Sequence, residues 1–146
     1  MGQERDRRVE DKMILAIDPG REKCGLAVVR KDGSVVLREV VPTMALAARL
    51  REVGAAHAVD VVVLGDRTGS KEAAEVVRGC LPQVQIHLVD EHRSTEEARR
   101  RYFAENPPRG WRRLLPRTLL VPPVPYDHYV AIILAERYLS IVHAEK

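Results

Sequence analysis

The chain has 146 residues, 45% of them apolar and 31% charged, with a formal net charge of +3. This is the balance of an ordinary globular protein long enough to bury a core, and it excludes disordered, collagenous and disulfide-framework classes. No apolar stretch approaches the ~20 residues that a membrane helix needs, so no membrane association is expected.

Residues 1–12, MGQERDRRVEDK, carry alternating charges and no apolar period. They read as a polar tail rather than a secretory leader, ahead of a single domain over residues 13–146. Cys24 and Cys80 lie in or beside apolar stretches without C-x-x-C spacing. They read as reduced, small core residues, and a cytoplasmic location is expected.

Met13–Asp18 and Gly25–Arg30 read as two β-strands, and the Asp32-Gly33 turn leads to a third, SVVLREVV, over 34–41. From Thr43 the period becomes helical, with Met44, Leu46, Ala47, Leu50 and Val53 on one face and Gly54 near the end. VDVVVLGD (59–66) is a continuous apolar run of the kind buried on both faces of a parallel sheet. Gly69-Ser70 opens a helix whose face is Ala73, Ala74, Val77, Cys80 and Leu81. VQIHLVDE (84–91) reads as another buried strand ending in acid. Ser94 with Glu97 fits a capping box, so a helix is expected to about Ala104. Residues 105–126 hold six of the nine prolines and read as irregular. Val130, Ile133, Leu134, Tyr138 and Ile141 mark a last helix opened by Asp127, a good N-cap residue. The order β-β-β-α-β-α-β-α-loop-α implies an α/β fold. Its mixed sheet joins an antiparallel three-stranded meander to parallel strands, flanked by helices.

Buried parallel strands present functional groups at their carboxyl ends. Asp18 closes one strand, the pair Asp90-Glu91 closes another, and Asp127 opens the last helix. Gathered carboxylates repel one another, and a divalent cation with oxygen ligands relieves the repulsion. Such a cluster suits Mg²⁺ or Mn²⁺ and attack on a phosphodiester by activated water. Each acid also has a plainer account. Asp18-Pro19-Gly20 is a good turn, Asp127 a good cap, and Asp90-Glu91 the point where a strand meets solvent.

Four blocks, ILAIDPGREKCGLAVV, VVVLGDRTGS, LVDEHRST and YDHYVAIIL, resemble those of the YqgF-type (RuvX) proteins, relatives of the RuvC Holliday junction resolvase with an RNase H-like fold. Asp18, Gly20 and Gly25 match the first block, Asp90, Glu91, Ser94 and Thr95 the third, and Asp127 with Ala131 the fourth. The blocks fall in family order over about residues 13–142. The resemblance implies a metal-dependent nuclease on structured RNA or branched DNA, with precursor 16S rRNA processing and junction cleavage as the family's proposed roles. It implies Asp18, Glu91 and Asp127 as catalytic metal ligands. Two departures stand out. His92 replaces the usual Arg after Asp-Glu, so either Arg93 takes over a phosphate contact or that contact is weaker, and Gly65-Asp66-Arg67-Thr68 replaces Gly-Leu-Pro. Asp66 and Asp90 are further candidate ligands, and Asp66 is equally a cap for the next helix. His128 is a candidate proton donor or an exposed first-turn residue.

The proline-rich segment carries Arg109, Arg112, Arg113 and Arg117 around Trp111, after Arg99, Arg100 and Arg101. Arginines on a stiff loop can grip phosphates while a tryptophan stacks on an unpaired base. Alternatively, Trp111 and Leu114-Leu115 anchor the loop to the body. A basic rim around an acidic centre is what a nuclease needs to draw phosphate toward carboxylates. The competing class is a catalytically silent nucleic-acid-binding or ribosome-associated module on the same fold. Strand-Asp-x-Gly also opens the phosphate loop of actin-like and sugar-kinase modules, a fold whose second half this length does not supply. The chain is read as a monomer or homodimer, with LLVPPV (119–124) an interface or a core-facing loop.

Overall fold

The computed structural model describes residues 12–67, 69–116, 122 and 124–144. The tail expected over 1–12 therefore lies outside the described residues except for Lys12. Arg117 and all of LLVPPV but Pro122 and Val124 also lie outside them.

Five strands, β1 (Met13–Asp18), β2 (Lys23–Arg30), β3 (Val35–Pro42), β4 (Val59–Gly65) and β5 (Gln85–Val89), form one sheet in the order β3-β2-β1-β4-β5. The β1–β2 and β2–β3 pairs are antiparallel, and the β1–β4 and β4–β5 pairs are parallel. This is the expected mixed sheet. Its helices are α1 (Leu46–Ala56), α2 (Ser70–Cys80), α3 (Ser94–Glu105) and α4 (Asp127–Ala144).

The period of two in the central strands divides the core. Ile14, Ala16, Ala27, Val29, Val61 and Val63 face α3 and α4. Leu15, Ile17, Leu26, Val28, Val62 and Leu64 face α1 and α2, meeting Leu50, Val53, Ala73, Ala74 and Val77. Gly54 lets α1 lie close, because a β-carbon there would stand 2.5 Å from Leu81 Cδ2. Cys24 is buried, Cys80 half-buried, and both are free thiols. Among the described residues, no helix is long and apolar enough to cross a membrane.

Several local expectations need correction. β5 is an edge strand with Gln85, His87 and Leu88 exposed, so it is not buried on both faces, and Asp90 and Glu91 lie beyond its end. The Ser94–Glu97 capping box does not form. Ser94 is the first helical residue, the cap is Arg93 at φ 58°, and no side chain caps α3. Asp127 likewise lies within the first turn of α4. Met44 is fully exposed on a 3₁₀ turn ahead of α1, and a second 3₁₀ turn, Gly110–Leu114, interrupts the proline-rich segment. The one-sided face expected for the last helix is also too narrow. Tyr129 to Ala135 are buried without interruption, while Ile141 is exposed. A helix enclosed on all sides needs apolar residues all round, and YVAIILA supplies them.

Candidate functional site

After β4 the chain passes to α2 on one face of the sheet, and after β5 it passes to α3 on the other. The two exits diverge at the carboxyl ends of β4 and β5, the end at which open α/β sheets place their ligands. Asp18, the last residue of β1, follows Ala16 in the alternation and so belongs to the α4 face. Across β2 its partner is Gly25, and on the β4 side Ile17 pairs with Leu64, one residue before Gly65. Both glycines are seats for other acids. A β-carbon on Gly25 would overlap the Asp127 carbonyl, and one on Gly65 would overlap the Glu91 carboxyl group. Asp18 thus lies between two notches that admit Asp127 from α4 and Glu91 from the turn after β5.

Glu91 is only 2% exposed, and its Oε2, its carbonyl and its N–H are all held. Its Oε2 accepts the Arg67 amide at 3.1 Å and lies 3.8 Å from Arg67 Nε. Its carbonyl accepts Arg67 Nη2 at 3.3 Å and the Ser94 amide at 2.9 Å. Its own N–H donates to Asp66 Oδ1 at 3.2 Å, while the Asp66 N–H donates to the Val89 carbonyl at 3.2 Å. Asp66 therefore staples the ends of β4 and β5 and aims Glu91, instead of capping α2, whose N-cap is Gly69. Asp90 is exposed and accepts the His92 amide at 2.9 Å, and its carbonyl accepts Arg137 Nη1 at 2.7 Å. Asp127 Oδ2 lies 3.5 Å from Lys23 Nζ.

Burial and these neighbours push the Asp18 carboxyl up to about 8. Desolvation is the largest cause, followed by a hydrogen bond to Glu91 and the negative charges of Glu91 and Asp127, with Arg67 opposing them. Near neutral pH, Asp18 is therefore mostly protonated, its O–H donating to Glu91. His128 packs its ring 4.5 Å from that of Tyr129. Burial, and secondarily Arg38, holds its imidazole below the usual range. The Tyr129 hydroxyl donates to Glu105, and Arg38 lies 5.3 Å from the tyrosine ring centroid. Burial and the Glu105 bond raise the phenol.

Arg93, Arg109, Arg112 and Arg113 are exposed. Trp111 is 68% exposed with the Arg112 guanidinium 6.0 Å from its ring, and Leu114 is 83% exposed, so neither anchors the segment. Arg99 and Arg101 are committed to the fold. Arg99 Nε donates to Tyr126 Oη at 3.1 Å, and Arg101 forks onto Glu136. Sequence reasoning missed Lys23 and Arg67. Their only signal was charge next to a strand end, which many solvated residues share.

The acids are oxygen donors of the kind Mg²⁺ and Mn²⁺ take, and Asp18 is held in its protonated form by burial and by its acidic neighbours. In kind they fit a hard cation. In spacing they fall short, for among the described residues no three His, Cys, Asp or Glu side chains stand close enough to hold one ion. Asp18 and Glu91 meet; Asp127 pairs with Lys23.

Neither a protein-family model nor a curated protein sequence matches the chain. Solved structures do. Thermus thermophilus RuvC in complex with a Holliday junction substrate is 16% identical, with a TM-score of 0.55 over 92% of this chain and 95% of that one. A second structure of Thermus thermophilus RuvC is 16% identical, with a TM-score of 0.57 over 91% and 95%. With its mixed five-stranded sheet and helices on both faces, the chain has the RNase H-like fold of RuvC.

Proposed function

We propose that this chain is a divalent-metal-dependent endonuclease acting on branched DNA or structured RNA. It would work in the cytoplasm as a monomer or homodimer, in the manner of the YqgF-type proteins implicated in precursor 16S rRNA processing. The observation that carries this reading is the placement of Asp18 at its strand end between the glycine notches that seat Asp127 and Glu91, where burial, and then those two acids, raise its carboxyl. Proteins seldom keep so costly a group without a use for it. The RuvC of the same fold was solved with a Holliday junction, which makes a four-way junction the first substrate to try.

Asp18, Glu91 and Asp127 would hold Mg²⁺ or Mn²⁺, which when bound supplies charge neutralisation and an activated water. Asp66 keeps Glu91 aimed at Asp18. The exposed Arg93, Arg109, Arg112 and Arg113 would grip phosphates, and Trp111 would stack on an unpaired base. His128, next to Asp127, would in its protonated form donate a proton to the leaving oxygen.

A junction and a folded rRNA-precursor fragment, each incubated with Mg²⁺ or Mn²⁺, test the reading. Cleavage should require the metal and vanish in Asp18→Asn and Glu91→Gln while both variants still bind. One observation favours a silent binding module instead: Glu91 and Asp127 already have basic partners in Arg67 and Lys23. Binding without cleavage under every metal condition would establish that second reading.

A further inference from the structure

Two cations of the chain sit on two of the three acids. The Arg67 guanidinium reaches Glu91 at both ends, with Nε 3.8 Å from Oε2 and Nη2 donating to the carbonyl at 3.3 Å. Lys23 Nζ lies 3.5 Å from Asp127 Oδ2. Both are attached loosely where it matters. About half of each basic side chain is exposed, so either head can swing into water at little cost, whereas Glu91 is enclosed and cannot follow. Each contact is also dispensable to the fold. Glu91 keeps the Arg67 amide on Oε2 and the Asp66 carboxylate on its N–H when the guanidinium leaves. Asp127 keeps its place through the close approach of its backbone to Gly25.

We infer that Arg67 and Lys23 are latches: side-chain cations that occupy Glu91 and Asp127 while the pocket is empty, and swing outward to phosphates of the nucleic acid when a divalent cation replaces them. This rests on the nuclease reading of the site. It accounts for donors that suit a hard cation in kind yet do not stand ready for one. It also gives Gly65-Asp66-Arg67 a role of its own, with the aspartate aiming Glu91 and the arginine guarding it.

Two measurements on the intact chain decide it, using Arg67→Gln and Lys23→Gln, which shorten neither backbone contact. In the first, Mn²⁺ alone is titrated by calorimetry without nucleic acid. Each substitution should tighten Mn²⁺ binding roughly two- to fivefold, the worth of one partly exposed ion pair. In the second, a four-way junction is titrated in Ca²⁺ over a range of salt. Each substitution should weaken binding and flatten the salt dependence by about one phosphate contact. Unchanged or weaker Mn²⁺ binding in both variants would overturn the inference, because simple braces make the site worse when removed. A wild-type chain that takes up no Mn²⁺ would instead bring down the metal-nuclease reading itself, and the latches with it.

Discussion

Gly65 stands directly against the carboxyl group of Glu91, and a β-carbon at that position would overlap its Cγ, Cδ and Oε1. The backbone of Gly65 does not need a glycine for its own conformation, since it pairs regularly with Val89. Gly65→Ala should therefore act through Glu91. The displaced carboxylate leaves Asp18, and cleavage should fall by about 100-fold, as misplacement by a fraction of an ångström commonly costs. Thermal unfolding should show a loss of only about 1–2 kcal/mol.

Asp18 has a folded value of about 8 against an ordinary 3.8. The folded chain thus holds this proton more tightly than the unfolded one. Stability is greatest on this account below about pH 4, falls as pH rises toward 8, and is flat above. Asp18→Asn removes the ionisable group and keeps its size. In thermal melts without metal, the variant should exceed the wild type by a few kcal/mol near pH 9, about 5 °C or more in Tm, with the gap narrowing at about pH 5. A wild-type advantage at the high pH would contradict the electrostatic account of the pocket.

Asp66 separates two roles that one substitution would confuse. As an anchor for the Glu91 amide it needs only an oxygen, and asparagine provides one. Asp66→Asn should cleave within about threefold of the wild type, while Asp66→Ala should lose roughly 10-fold or more from a loosened Glu91. A metal ligand would lose activity in both. Comparing kcat for the two variants under saturating Mg²⁺ gives the answer.

Trp111 and Leu114 face solvent, so truncating them should leave the unfolding free energy unchanged within about 0.5 kcal/mol. Trp111→Ala should still weaken binding of a single-stranded or junction substrate by about 1–3 kcal/mol in a fluorescence titration. If the variant instead loses stability and keeps its affinity, the segment is packing and not a reader.

The sheet is legible in the sequence because β1, β2 and β4 are hydrophobic runs bounded by turns, and such runs have few places to go but the interior of a sheet. β5 departs from expectation for a physical reason. Val84, Ile86, Leu88 and Val89 carry enough apolar character to suggest burial, but a strand's place inside a sheet or at its edge depends on whether another strand pairs on its far side. Nothing pairs beyond β5 among the described residues. The capping box fails similarly. Ser94 has its amide on the Glu91 carbonyl and is already in the helix, so its hydroxyl is buried with no hydrogen-bond partner among the described residues. Asp18 and Asp127 can be read as strand and helix ends. Their pairing with Glu91 and Lys23 cannot, because which charges meet is settled by the crossing of strands far apart in sequence.

The helix that presents Asp127 has its opening turns sealed in apolar side chains on every side, from Tyr129 through Ala135. One wall of the acidic site is accordingly inherited from the oiliest part of the molecule, while Glu91 hangs on a short bend past a border strand. The two walls therefore rest on different things, the helix on apolar packing and the bend on the hydrogen bonds by which Asp66 and Arg67 hold Glu91.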